Sequence, residues 1–165
     1  MAGGKISKQQ YIDWSKRAAV IQKMKDEKYD PILHWMNIYL MRTYHYRKPP
    51  AEFHSLQENI IVARKKMFDL YIRLFDVGYN NGMPTIVIAR IEFYKTRKGY
   101  GSNFLKLISE IAIKYQYEII EFECCMTKPG ISFAKKLGFQ KKDAEGYDYM
   151  IETSKLVGYF QNHGK

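Results

Sequence analysis

Thr96-Arg97-Lys98-Gly99-Tyr100-Gly101-Ser102 lies directly after an apolar, strand-like run, Thr85 to Phe93, and directly before a helix-like run, Asn103 to Tyr115. A strand that ends in a basic Gly-x-Gly turn and opens a helix is a physical device for holding phosphate. Glycine lets backbone come close to an oxyanion, and the first N–H groups of a helix point outward without an intrahelical acceptor. The turn marks the chain as a candidate binder of a phosphorylated cofactor. Gly-x-Gly alone is weak evidence, so its meaning rests on what flanks it.

Upstream of the turn, Ser7-Lys8-Gln9-Gln10 reads as a capping box opening a helix with Tyr11, Trp14, Ala18 and Ile21 on one stripe. Asp30-Pro31 gives an N-cap and a proline at the first position of a second helix, from Ile32 to about His45, which Pro49-Pro50 stops. Joined by a short link, the two predict a helical hairpin whose apolar stripes face a sheet or each other. From Asn59 the period becomes strand-like. Asn59 to Met67, Phe68 to Val77 and Pro84 to Phe93 read as three strands, with Asn80-Asn81-Gly82 as a turn. In the third, Ile86, Ile88, Arg90 and Glu92 alternate with Val87, Ala89, Ile91 and Phe93.

Downstream, Phe104, Leu105, Ile108, Ile111 and Ala112 recur at helical spacing, and Glu118 to Cys125 is a further strand. Gly130 to Leu137 is a short helix ended by Gly138, followed by strands near Gln140 to Lys142 and Tyr147 to Ile151. The order predicts an α/β chain with a mixed sheet: an antiparallel meander, then a crossover helix that makes the next pair parallel. Residues 1–154 are expected to form one domain, with the hairpin over 8–48 and the sheet and cofactor core over 59–153. Residues 155–165 are expected to be a loose polar tail.

At 165 residues, 46% hydrophobic and 15% aromatic, the chain can bury a core, which excludes a disordered polymer. No apolar run approaches ~20 residues, which excludes a helical membrane span. Met1 to Lys5 is not followed by an apolar signal core, and Cys124 and Cys125 are adjacent and lack metal-ligand spacing; a cytoplasmic, reduced protein is the expectation. His34, His45, His54 and His163 share no metal spacing, so no metal is expected. The net charge of +10 suits a polyanionic partner, whether nucleic acid, an acidic protein surface or a phosphorylated cofactor; it equally suits a solvated surface. Arg42-Thr43-Tyr44-His45-Tyr46-Arg47-Lys48 interleaves cations with aromatics, a composition that grips phosphate and stacks bases, and one that also fits the frayed end of an amphipathic helix.

Three stretches together resemble the GNAT family of acyl-CoA-dependent N-acyltransferases. Ile91 to Ser102 is similar to that family's strand-to-turn-to-helix cofactor motif, Ile119-Ile120-Glu121-Phe122-Glu123-Cys124 to the strand after its crossover helix, and Ile131 to Phe139 to its helix ending in Lys-Leu-Gly-Phe. The match covers Thr85 to Lys142. The resemblance implies a mixed, mostly antiparallel α/β sheet with helices on both faces, and a wedge between two parallel strands that splay apart. It further implies acetyl-CoA or another acyl-CoA in that wedge. The pantetheine arm would bond to backbone around Ile91 to Phe93, and the diphosphate would rest on Arg97, Lys98, Gly99, Tyr100, Gly101, Ser102 and Asn103. Thr127 and Phe133 would line the same site. Three positions depart from the family: Thr96 stands where a Gln or Arg is usual, Ala134 where a tyrosine proton donor is frequent, and Thr127 where an Asn is frequent.

Acyl transfer to an amine needs a base for the ammonium and sometimes an acid for the leaving thiolate. Glu92, at the end of the strand lining the expected wedge, is the first candidate base, and Glu123 on the facing strand is the second; each also reads as an edge glutamate paired with a cation. Tyr94 and Tyr100 are candidate acids, though each equally reads as packing in a chain of 14 tyrosines. The expected activity is acetyl-CoA-dependent N-acetyl transfer directly to an amine, with an anionic macromolecule as one form of acceptor. The alternatives are a related fold that modifies or binds nucleic acid without ordinary acetyltransferase activity, and an interaction protein that docks through its helical hairpin.

Overall fold

The computed structural model describes residues 8–163, with backbone alone for residues 8–12 and 14. The capping box begins at Ser7 and lies outside the described residues. Seven strands form one sheet in the order β1-β2-β3-β4-β5-β7-β6, where β1 is Glu52–His54, β2 Gln57–Lys65, β3 Phe68–Phe75, β4 Thr85–Phe93, β5 Ile119–Phe122, β6 Gln140–Lys141 and β7 Tyr149–Glu152. Only β4 and β5 are parallel; the crossover between them is α3, Tyr100–Lys114. This is the mixed, mostly antiparallel α/β sheet expected. β1 went unread, because three residues after Pro49-Pro50 carry no alternation long enough to register.

The expected hairpin is replaced by a helical rod. α1, Lys8–Met24, runs into α2, Asp30–Tyr44, through a π-helical segment, Lys25–Tyr29. Met24, Tyr29 and Asp30 all keep right-handed helical angles, so no loop reverses the chain. Pro31 supplies a reason for the widened turn. It lacks an N–H, and its ring crowds the carbonyl one turn back, so the ladder there shifts to longer bonds such as Asp30 N–H to the Lys25 carbonyl. The widened turn directs two consecutive side chains at one target: Lys28 Nζ and the Tyr29 hydroxyl both donate to the Asp76 carboxylate, the latter at 2.8 Å, and the Tyr117 hydroxyl adds a third bond at 3.1 Å. Ile21, on the stripe expected to pack, is 50% exposed.

One register shift decides what β4 presents. Ile88 faces Ile72 and Arg90 faces Tyr71, so Ala89 is an extra, bulged residue. The simple alternation read from sequence therefore breaks at Ala89. Ile91 and Phe93 join Ile86 and Ile88 on the face shared with Phe68, Leu70, Ile72 and Leu74. Arg90 and Glu92 turn to the other face with Asp69 and Tyr71. Ile32, Met36 and Leu40 of α2, Phe104, Leu105 and Ile108 of α3, and Ala134 of α4 (Lys128–Lys136) join the same buried cluster as the first face. The second face carries no helix among the described contacts. There the loop after β3 folds back, with Tyr79 stacked on Phe75 at 4.4 Å. Helices on both faces, as expected, is thus corrected to helices on one.

The tail is also ordered, as α5, Thr153–His163. Leu156 is fully buried, and Tyr159 and Phe160 pack against the core from the same stripe, beside α3. Three apolar residues at helical spacing hold the segment down; polar neighbours masked them in the sequence. No helix among the described residues is long and apolar enough to cross a membrane.

Candidate active site

The last bond between β4 and β5 is Glu123 N–H to the Ile88 carbonyl, at 3.2 Å. Beyond it β4 continues through Phe93, bonded only to β3. The edge of β4 from Ala89 to Phe93 that faces β5 therefore has no strand beside it, and the two strands part at the bulge. Backbone donors and acceptors of this kind, left unpaired at a strand edge, are what an extended amide-bearing chain would bond.

The turn begins where that edge ends. Arg97 has φ 58° and Gly99 has φ 74°, both left-handed. α3 starts at Tyr100, and its first intrahelical bond is Asn103 N–H to the Gly99 carbonyl, at 2.9 Å. The N–H groups of Tyr100, Gly101 and Ser102 precede that bond and have no acceptor in the helix. No side chain caps this end. The two glycines serve different needs. Gly99 has open space but requires its left-handed angle. Gly101 is packed: a Cβ there would stand 3.2 Å from Cζ of Phe133.

Phe133, on α4, reaches from Gly101 to Phe122 of β5, with ring centroids 6.2 Å apart. It therefore bridges the helix start and the strand across the mouth of the wedge. Thr127 is the N-cap of α4, its hydroxyl accepting the Gly130 N–H at 3.2 Å. Ala134 is fully buried; a proton donor is absent there, and no space stands in its place. Tyr100 packs on Tyr44 and Phe93, at 5.2 and 6.1 Å, which anchors the helix start to the end of α2. The Tyr44 hydroxyl is buried with no hydrogen-bond partner among the described residues, and burial holds its pKa above the usual tyrosine value.

Of the candidate catalytic groups, Glu92 is exposed on the helix-free face, across from Asp69, so the apolar walls expected around it are absent. Glu123 is on the same face but is held in an ion pair with Arg73. Tyr94 is 56% exposed, with its backbone N–H bonded to the Met67 carbonyl. The structure gathers Ile91, Phe93 and residues 97–103 at one end of the wedge, with Phe133 across it. Glu92 and Glu123 share a face of the sheet, Glu123 engaged and Glu92 free of any ion pair among the described residues.

Sequence reasoning missed a fully buried carboxylate on that face. Glu121 has no exposed side-chain surface, yet it accepts from Tyr79 at 3.0 Å, Asn80 at 2.8 Å and Lys142 at 3.1 Å. Its carboxylate raises the Lys142 pKa against the opposing effect of burial. The signal was present: a glutamate inside Ile119-Ile120-Glu121-Phe122 must find partners if the strand is buried. Among the described residues no three His, Cys, Asp or Glu side chains gather as a metal site. Cys124 is exposed, and burial raises the pKa of Cys125, which disfavours a thiolate there.

No protein-family model matches the chain, nor does any curated protein sequence. The solved structures to which it is similar in part include the following assemblies. The KacTA–DNA complex is 13% identical over 62% of this chain and 71% of that chain, with TM-score 0.47. The AtaT–AtaR complex bound to DNA is 13% identical over 62% and 74%, with TM-score 0.49. AtaTR bound with acetyl-CoA is 12% identical over 61% and 69%, with TM-score 0.47.

Proposed function

We propose that the chain is an acetyl-CoA-dependent N-acetyltransferase. One observation carries the reading: the unpaired edge of β4 from Ala89 to Phe93 leads straight into the left-handed turn and uncapped start of α3. An acyl-CoA needs both parts in that order, an amide-bonding edge for its pantetheine arm and a cluster of free N–H groups for its diphosphate. Backbone of Ile91 and Phe93 would hold the arm. Backbone of residues 97–103 would hold the diphosphate, with Arg97 and Lys98 supplying charge. Phe133 would close the wedge from the α4 side, and Thr127 would keep that helix start in place.

The acceptor amine attacks the thioester carbonyl directly; its nitrogen–carbon bond forms as the carbon–sulfur bond breaks, and the thiolate leaves. Glu92 is the free carboxylate on the β4 segment that forms the wedge edge and takes the amine's proton. Its exposure suits a base that trades protons with water. Ala134 removes the proton donor that the resemblance implies, so the thiolate is protonated by Tyr94 or by solvent. Incubation with acetyl-CoA and a panel of amines (small molecules, peptides, aminoacylated and plain nucleic acids), read by mass, tests the activity: one acceptor must gain one acetyl group.

The second reading rests on Ala134 as well. A protein of this fold without a proton donor at that position can bind or modify nucleic acid without ordinary acetyl transfer. Intact acetyl-CoA binding with no acetylated product from any of those amines would favour it.

A further inference from the structure

Three segments that lie far apart in sequence meet at the α3 end of the sheet. Tyr44, near the end of α2, packs on Phe68 at 5.1 Å and on Phe93 at 6.0 Å, and Tyr46 packs on Phe68 at 5.7 Å. Tyr94 N–H bonds to the carbonyl of Met67 in the β2–β3 turn, at 3.1 Å. An aromatic base thus ties the end of α2, the β2–β3 turn and the β4–α3 turn into one surface.

That surface is cationic without exception. The end of α2 contributes Arg42, Arg47 and Lys48. The β2–β3 turn contributes Lys65 and Lys66, and the β4–α3 turn contributes Lys95, Arg97 and Lys98. All are exposed, none forms an ion pair among the described residues, and none of the three segments contains an acidic residue. Arg64 and Arg90, just outside this surface, are by contrast both bonded to Asp69. Tyr94, 56% exposed, and the exposed His45 stand among the unpaired cations as flat rings open to solvent.

We propose that this end of the molecule binds a single-stranded polynucleotide, its phosphates on the three cationic segments and its bases against Tyr94 and His45. Charge alone would suit any polyanion; rings interleaved with unpaired cations suit one that carries stacking bases. A strand bound there lies beside the α3 start. That it carries the acceptor amine rests on the acyltransferase reading; that it binds does not.

The experiment titrates the full chain against a labelled oligouridylate of about 16 nucleotides, by fluorescence anisotropy, across a salt series. With about six cations on phosphates, log affinity falls against log salt with a slope of about −4. Arg47→Gln, Lys48→Gln, Lys65→Gln and Lys66→Gln together reduce that slope by about 3. They leave the melting shift with acetyl-CoA unchanged, since none is in the cofactor turn. Tyr94→Ala weakens binding without altering the slope. An unchanged slope in the quadruple variant, or equal binding of polyglutamate, overturns the proposal. A lost acetyl-CoA shift in the wild type overturns the acyltransferase reading and leaves the oligonucleotide result standing on its own.

Discussion

The ring of Phe133 lies so close over Gly101 that a methyl group there would come within 3.2 Å of Cζ. This contact fixes the distance between the start of α3 and α4, and so the width of the wedge mouth. In a helix, alanine ordinarily stabilises relative to glycine by up to about 1 kcal/mol. Here Gly101→Ala is expected to lower the melting temperature instead, and Gly101→Ala with Phe133→Leu to restore it. The two sites couple by at least about 0.5 kcal/mol in a double-mutant cycle. A Gly101→Ala variant more stable than wild type would show that the ring yields freely.

Lys142 is the charge partner of the fully buried Glu121. Lys142→Met leaves that carboxylate with neutral donors alone and costs about 3 kcal/mol by urea unfolding. Glu121→Met combined with Lys142→Met costs less than Lys142→Met alone, because no charge remains buried. Lys155→Met, which breaks an exposed pair with Glu152, costs less than about 1 kcal/mol. Equal losses in the two single variants would place Lys142 on an ordinary surface.

The burial of tyrosine hydroxyls sets the alkaline limit of stability. Burial, and then Asp76, hold Tyr29 and Tyr117 above the usual tyrosine pKa. Their contribution is complete below about pH 10, where unfolded tyrosine is still neutral, and falls as pH rises past it, because the unfolded chain ionises first. Each such tyrosine removes about 1.4 kcal/mol per pH unit above that point. Unfolding free energies at about pH 9 and about pH 11 are expected to fall more steeply for wild type than for Tyr117→Phe. Parallel slopes would contradict the assignment.

Much of this was legible in the sequence. The three-strand meander, the crossover helix and the glycine turn between β4 and α3 followed from periodicity and from Gly99 and Gly101, since those signals are local. The bulge at Ala89 was not legible, because it shows only in the register between β3 and β4. Its consequence was large: Ile91 and Phe93 went to the core and Glu92 to the open face. The rod in place of a hairpin was hidden by Asp30-Pro31, which reads as a helix start and here stands inside a continuous helix with a π-helical turn before it. Phe133 was expected at the site from the resemblance, but its seat on Gly101 needed the distance between two helices.

Glu92 is the proposed base, and its position allows a sharp test. Glu92→Gln keeps shape and exposure while removing the proton acceptor. Turnover is expected to fall by about 100-fold or more, the usual contribution of a general base, with acetyl-CoA binding unchanged. Turnover within a few-fold of wild type would remove Glu92 from the chemistry and leave proton transfer to solvent.

The central claim is that the edge of β4 and the start of α3 hold an acyl-CoA. Thermal melting of the protein with and without acetyl-CoA tests it most directly. At about 100 times the dissociation constant, a ligand that binds only the folded state adds about 2.7 kcal/mol, which raises the melting temperature of a chain of this size by about 5–10 °C. Gly99→Val, which strains the left-handed angle at the turn, should abolish that rise. A melting temperature unmoved by millimolar acetyl-CoA in the wild type would contradict the account.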